Sequence, residues 1–286
     1  MIYRVTGSVS TLEPGNPLEE AFRDGAGNPA HPIEAIFPIF QAREGELWIP
    51  LGTGFFISQN GVFATARHVL TDNYGVLLNS LVGVQIIRLS GRTVVLPRRI
   101  IQADLHGKAD VAVGMLENPL LDTTGRQILN SAFMLTDKIP AIGNQAVTYA
   151  IPQPKAVPGT DRKFELQFVP RLIYGEVQEY FSSGRDQNLP GKCYQTSLEL
   201  KGGASGGPVF FGDGRVFSVN STGFDFPLLA ENETGDDTPV SYVSSINDIF
   251  DLQIKNIRFD VDGKIRKTAT IGEMSHYGYV NLDDSF

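Results

Sequence analysis

Apolar residues come along this chain in short runs, and turn residues close almost every run. The clearest case is Gly54-Phe55-Phe56-Ile57-Ser58, then Gln59-Asn60-Gly61, then Val62-Phe63-Ala64-Thr65-Ala66. Two strand-length segments around Asn-Gly predict a β-hairpin, because Asn and Gly accept the positive φ that a tight turn needs. Strand-like runs precede it at 35–41 and 46–52. Others follow at 82–89, 93–96 and 100–104. Residues 111–116 are apolar almost throughout, as in a buried strand. No helical period interrupts 35–117, which argues for a closed antiparallel barrel or a sandwich.

Residues 118–140 are mixed and predict a connector across the surface. A second strand-rich region then begins at 145–150. Runs 164–169 and 172–181 alternate apolar and polar, the period of half-buried strands. Further strands are predicted at 194–198, at 208–211 and 215–220 around Gly212-Asp213-Gly214, and at 239–243. Residues 228–238 are acidic and polar, a predicted surface loop. Ser244 or Ser245 can cap a short helix through Leu252. Asp262-Gly263 lies between two strand-like runs and predicts an appended hairpin. Residues 1–34, rich in Pro and Gly, predict an arm with a short helix near 18–23. The expected organisation is an arm over 1–34, a strand domain over 35–125, a second over 126–252, and an extension over 253–286.

Composition narrows the function. The chain has 286 residues, a net charge of −8 and a pI near 5.1. Phosphate-backbone binding needs a basic face, so nucleic acid is a poor partner. Arg88, Arg92, Arg98, Arg99 and Lys108 are spaced as the solvated face of strands. No run approaches the ~18 apolar residues of a membrane helix. Cys193 is the single cysteine, which excludes an internal disulfide and predicts a small buried filler. With no charged and apolar leader after Met1, the expectation is a cytoplasmic protein.

Candidate chemistry centres on Gly202-Gly203-Ala204-Ser205-Gly206-Gly207-Pro208. Such a run folds a tight loop with its N–H groups turned into one hollow. A serine there can attack an acyl carbon while the N–H groups bind the resulting oxyanion. It needs a base that works near neutral pH, and a carboxylate to orient that base. His68, at the end of a hairpin strand, and Asp110, at the start of a buried one, are the candidates. His106 reads as part of a turn, and His31 and His276 as ordinary surface residues. Asp72 and Asp104 enter no comparable strand. Asp260-x-Asp262-Gly263 lacks the glutamate of a calcium loop, so no metal is implied.

Three motifs in order resemble the trypsin-like serine proteases: Thr65-Ala66-Arg67-His68, Asp110-Val111-Ala112-Val113, and Gly203-Ala204-Ser205-Gly206-Gly207-Pro208. The gaps of 42 and 95 residues are near the about 45 and about 93 of the best-known such triad. Gln195-Thr196 six residues before the loop is similar to bacterial HtrA-type members. The resemblance, over about 35–252, implies an all-β fold of two antiparallel barrels, the chymotrypsin-like architecture. It implies Ser205 as nucleophile, His68 as base, Asp110 as orienter, and the N–H groups of Gly203 and Ser205 as the oxyanion hole. Ser221, Thr222 and Gly223 would run along the substrate backbone. Glu199 falls at the floor of the specificity pocket in trypsin, where it would favour Arg or Lys, although an exposed loop glutamate is the other reading. Ala204 stands where digestive members carry the acidic residue that captures a cut N-terminus. The 34 residues after 252 are too few for a PDZ domain. The expected function is a serine endopeptidase acting on protein or peptide, without cofactor, constitutive or kept latent until a partner releases it. The alternative is a catalytically silent binding module.

Overall fold

Gly61, at φ +88°, closes the hairpin turn that its sequence predicts. The computed structural model describes residues 4–5, 31–43, 46–89, 92–118, 129–158, 164–221, 239–261 and 264–283. The first strands are β1 (Arg4–Val5), β2 (Ile36–Gln41), β3 (Ile49–Phe56), β4 (Val62–Thr65), β5 (Leu81–Leu89), β6 (Arg92–Leu105) and β7 (Ala112–Leu116). One helical turn, α1 (Arg67–Leu70), follows β4. Strands β2 to β7 form a closed barrel in the order β2-β3-β4-β7-β6-β5, every pair antiparallel. Large rings fill it and glycines make room for them. Phe37 lies 4.9 Å from Phe56 and 5.3 Å from Phe63. A Cβ on Gly54 or Gly83 would come within 2.8 Å of Phe37, and one on Gly114 within 2.5 Å of Phe63.

Two pairs of predicted strands are in fact single strands. Segments 46–52 and 54–58 merge into β3, because Gly52, Thr53 and Gly54 stay in the ladder opposite Ile39, Pro38 and Phe37. Segments 93–96 and 100–104 merge into the 14-residue β6. There Pro97 pairs with Val84, and a bulge between Ile100 and Gln102 absorbs the irregularity.

The next strands are β8 (Leu135–Thr136), β9 (Gln145–Ala150), β10 (Lys155–Pro158), β11 (Phe164–Gln167), β12 (Arg171–Phe181), β13 (Cys193–Thr196), β14 (Pro208–Phe210), β15 (Val216–Asn220) and β16 (Ser241–Ser245). Six of them run in the order β14-β9-β12-β13-β16-β15, and pairing of β14 with β15 closes the ring. Tyr194, Phe217, Val177, Val209 and Val243 pack together in this second barrel. Strands β10 and β11 stand outside the ring, and β1 joins β11 in parallel. The all-β double barrel expected from the motifs is the observed architecture.

The described part of the predicted surface connector is largely internal. Asn130, Ala132, Phe133 and Leu135 are buried. Phe133 stands between Phe55 of the first barrel, at 5.6 Å, and Phe210 of the second, at 6.0 Å. Arg98, expected on a solvated face, is only 3% exposed. Its guanidinium donates to Asn130 Oδ1 (2.6 Å), Gln85 Oε1 (2.5 Å), Asn118 Oδ1 (2.5 Å) and the Glu117 carbonyl (2.8 Å). It also lies over the Phe56 ring. Burial pushes its pKa down to about 10, and the ring of acceptors compensates the lost water. Arg98 thus holds the chain on both sides of the inter-barrel connection.

The short helix predicted before 252 is a 3₁₀ turn, Ile246–Ile249, capped by Ser245. Beyond it, β17 (Gln253–Val261) and β18 (Lys264–Thr270) form the predicted C-terminal hairpin. The hairpin docks on the first barrel. The Gln102 side chain bonds both the N–H and the carbonyl of Lys255, and Asp104 accepts from Gln253 N. Helix α2 (Ile271–His276) begins with a reciprocal cap between Thr270 and Glu273. Then β19 (Leu282–Asp283) pairs with β8 beside the second barrel, and Asp283 pairs with Arg215. The extension therefore straps one barrel to the other. The predicted helix near 18–23, the loop over 228–238 and the Asp262-Gly263 turn lie outside the described residues.

Two outcomes follow from these buried groups. Arg98→Met strands several buried acceptors and is expected to cost about 3 kcal/mol or more in urea unfolding. Cys193 is buried, and burial pushes its thiol pKa up to about 11. It should resist iodoacetamide at pH 8 in the native protein and react once unfolded. The unfolded thiol ionises near about 8.5. Its contribution to stability is therefore full below that pH and is lost as the pH rises toward about 11.

Candidate active site

The site lies where the barrels meet, and backbone geometry builds most of it. Helix α1 starts directly after β4, so His68 stands at the rim of the first barrel. Asp110 precedes β7, the neighbour of β4. The turn before it is held by His106, whose Nδ1 accepts from Ala109 N at 2.7 Å and Lys108 N at 3.2 Å. That ring therefore shapes the turn presenting Asp110. Gly191, in the β12–β13 loop, packs on Ala109 so closely that a Cβ would strike it. The Asp110 side chain is only 10% exposed, against 31% for His68.

His68 Nδ1 lies 2.8 Å from Asp110 Oδ2, and His68 N donates to Asp110 Oδ1 at 3.0 Å. An ionised carboxylate only accepts, so Nδ1 carries the proton. In the neutral imidazole this tautomer places the lone pair on Nε2.

The loop of Ser205 comes to this pair through glycines and one threonine. Thr53 N donates to the Ser205 carbonyl at 2.8 Å. Thr53 Oγ1 donates to the Gly203 carbonyl at 2.8 Å and accepts from Ile151 N at 3.2 Å. The Thr53 carbonyl accepts from Thr65 Oγ1 at 2.7 Å. Gly206, at φ +84°, fits against Thr53 O, Thr65 Oγ1 and Ala66 N, where any Cβ would collide. A Cβ on Gly52 would strike both the Ser205 carbonyl and Val69, the neighbour of His68. The loop and the His68 turn are thus packed against the same stretch of β3. Ser205 itself is 4% exposed.

The other side of the loop is fixed by Asn220. Gly206 N donates to its carbonyl, its own N–H donates to the Gly207 carbonyl, and its Nδ2 donates to Ala204 O and Thr148 Oγ1. A neutral amide therefore ties down the residue that stands in place of the acidic one in digestive members. Gly202 O accepts from Gln153 N at 2.7 Å. In a trans peptide the N–H points opposite to the carbonyl. The Gly203 N–H is therefore turned away from segment 151–154.

Of the remaining sequence candidates, Ser221 is buried, with its N–H bonded to Tyr242 O and its Oγ 2.7 Å from Ser244 Oγ. The Glu199 side chain is 65% exposed and pairs with Lys201 at 3.1 Å. Thr222 and Gly223 lie outside the described residues. Sequence reasoning missed Thr53 and Asn220, and it placed His106 in a turn without foreseeing that its ring holds that turn. Only Thr53 carried a signal, a polar residue between two strand glycines, which marks close backbone approach.

This fold is that of a serine peptidase. Residues 52–219, more than half of the chain, match the trypsin-like peptidase domain, and the chain belongs to that family. It is similar in structure to the active form of the Rv3671c protease from M. tuberculosis (15% identity, 84% of this chain and 86% of that one, TM-score 0.49). Deg5 is similar at 19% identity, 75% and 84% coverage and TM-score 0.46. The HtrA-type protease AlgW, solved with a decapeptide, is similar at 14% identity, 82% and 65% coverage and TM-score 0.50. No protein of curated function matches the chain in sequence.

Thr53→Val keeps shape and removes the hydroxyl, leaving the Gly203 carbonyl and Ile151 N–H without their partner. Peptidase kcat/KM is expected to fall about 10-fold or more with little change in far-UV spectrum. Unchanged activity would remove Thr53 from the account.

Proposed function

We propose that the chain is a serine endopeptidase acting through an acyl-enzyme. Ser205 is the nucleophile, His68 the general base and then acid, and Asp110 the orienting carboxylate. The single observation that carries this reading is the 2.8 Å contact of His68 Nδ1 with Asp110, which in the neutral imidazole places the lone pair on Nε2. As Ser205 Oγ bonds to the substrate carbonyl carbon, its proton passes to Nε2 and the carbonyl π pair moves to oxygen. The N–H groups of Gly203 and Ser205 hold that oxyanion. Collapse expels the amine, which takes the proton from Nε2 and leaves an ester on Ser205. Water then repeats the sequence, and Asp110 stays ionised throughout.

Substrate lies alongside Ser221 in this reading. The Ser221 N–H is committed to Tyr242, so its carbonyl is the group that meets the substrate N–H. Glu199, paired at the surface with Lys201, gives no support to a preference for Arg or Lys. The bonds from Asn220 and Thr53 shape the loop within the chain, which favours an enzyme active without N-terminal cleavage. Release from latency by a partner, and a silent binding role, have no observation that favours them.

The test is cleavage of a peptide library, read by mass spectrometry. Ser205→Ala should lower kcat by about 10⁶ and Asp110→Asn by about 10⁴. Cleavage surviving in Ser205→Ala sinks the assignment.

A further inference from the structure

A cavity of ≈ 380 Å³ opens beside the nucleophile loop. Segment 152–155, the end of β11, Phe168, Val169 and the start of β12 form its walls, with Lys201 at the loop side. Three cations face it, Lys155, Arg171 and Lys201, and among the described residues no carboxylate lines it. In a chain of net charge −8, this is a local reversal of sign. Lys201 is shared with Glu199 in an exposed pair. Among the described residues Lys155 and Arg171 have no ion pair.

The position of the cavity gives the cations a purpose. Its wall residue Gln153 holds the Gly202 carbonyl, and Pro154 packs within 2.5 Å of the Cβ position of Gly203. The cavity is thus one residue from the proposed oxyanion hole. Strand β14, which leaves the nucleophile loop, has β15 on one side and β9 on the other. Ser221 continues β15, and segment 151–155 continues β9. The acyl part of a substrate runs along Ser221, so the cavity on the opposite flank receives the part that leaves.

We propose that this cavity binds a carboxylate on the leaving-group side of the substrate, within about three residues of the cut bond, so that acidic segments are preferred there. The inference rests on the proteolytic reading for the direction of the substrate. The carboxylate is an Asp or Glu side chain or the α-carboxylate of a chain end. Arg171 is suited to a bidentate contact, and Lys155 and Lys201 add point charges.

The experiment has two readouts. The first is kcat/KM for amidated peptides that carry Asp, Asn or Lys at each of the three leaving-side positions. The second is fluorescence anisotropy with the same leaving-side segments bound to Ser205→Ala protein, which needs no turnover. A neutral segment with a free or amidated C-terminus separates the two sources of carboxylate. The expected result is a five- to tenfold preference for Asp over Asn at one position, or for the free over the amidated end, by both readouts. It should shrink with added salt. It should be lost in Lys155→Gln/Arg171→Gln and turn toward Lys peptides in Lys155→Glu/Arg171→Glu. Equal binding of Asp, Asn and Lys segments and of both chain ends at low salt overturns the proposal, even if the protein cleaves every peptide. Preserved carboxylate binding without any cleavage upholds the cavity and overturns the peptidase assignment of Ser205.

Discussion

Thr53 is the residue through which the two barrels become one site. Its backbone belongs to β3 of the first barrel, and its N–H and hydroxyl hold the carbonyls of Ser205 and Gly203 in the second. Thr53 itself is fully buried, and a buried polar group left without its partner costs about 1–3 kcal/mol. The His68–Asp110 pair and the loop of Ser205 belong to different barrels. The first brings His68 and Asp110, and the second brings the loop. The flanking Gly52 allows this approach, because a side chain there would fill the space of the Ser205 carbonyl.

The opposite face of the loop shows how a fold can keep a geometry while changing the force that holds it. Ala204 removes the ion pair on which digestive relatives depend. Asn220 supplies neutral hydrogen bonds from the end of β15 to Ala204, Gly206 and Gly207. A neutral tether of this kind needs no newly exposed amine. On the solvent side, Gln153 fixes the Gly202 peptide, and its own backbone sits at φ +49°. The loop is thus set from three directions by separate elements.

Much of this was legible in the sequence, and the reasons are local. Asn60-Gly61 and Gly212-Asp213-Gly214 specify their hairpins because turn chemistry depends on a few neighbouring residues. The contact of His68 with Asp110 was legible because each lies in a short contiguous motif. What was illegible depends on distant parts of the chain. The burial of Arg98 follows from acceptors at Gln85, Asn118 and Asn130, which no pattern around residue 98 announces. Helix α2 did have a local signal, Thr270-x-x-Glu273, a capping box that preceded too short an apolar run to stand out. The strap formed by β19 on β8 involves strands of two residues, below the length at which alternation can be read.

The central claim is that Ser205 is an activated nucleophile in the folded chain as it stands. A serine-reactive phosphonate followed by intact-mass measurement and peptide mapping tests it most directly. The account predicts one adduct per chain, located on Ser205, formed without prior cleavage of the N-terminus and strongly slowed when Asp110 is replaced by Asn. No adduct on folded protein, or an adduct on another residue, would contradict it.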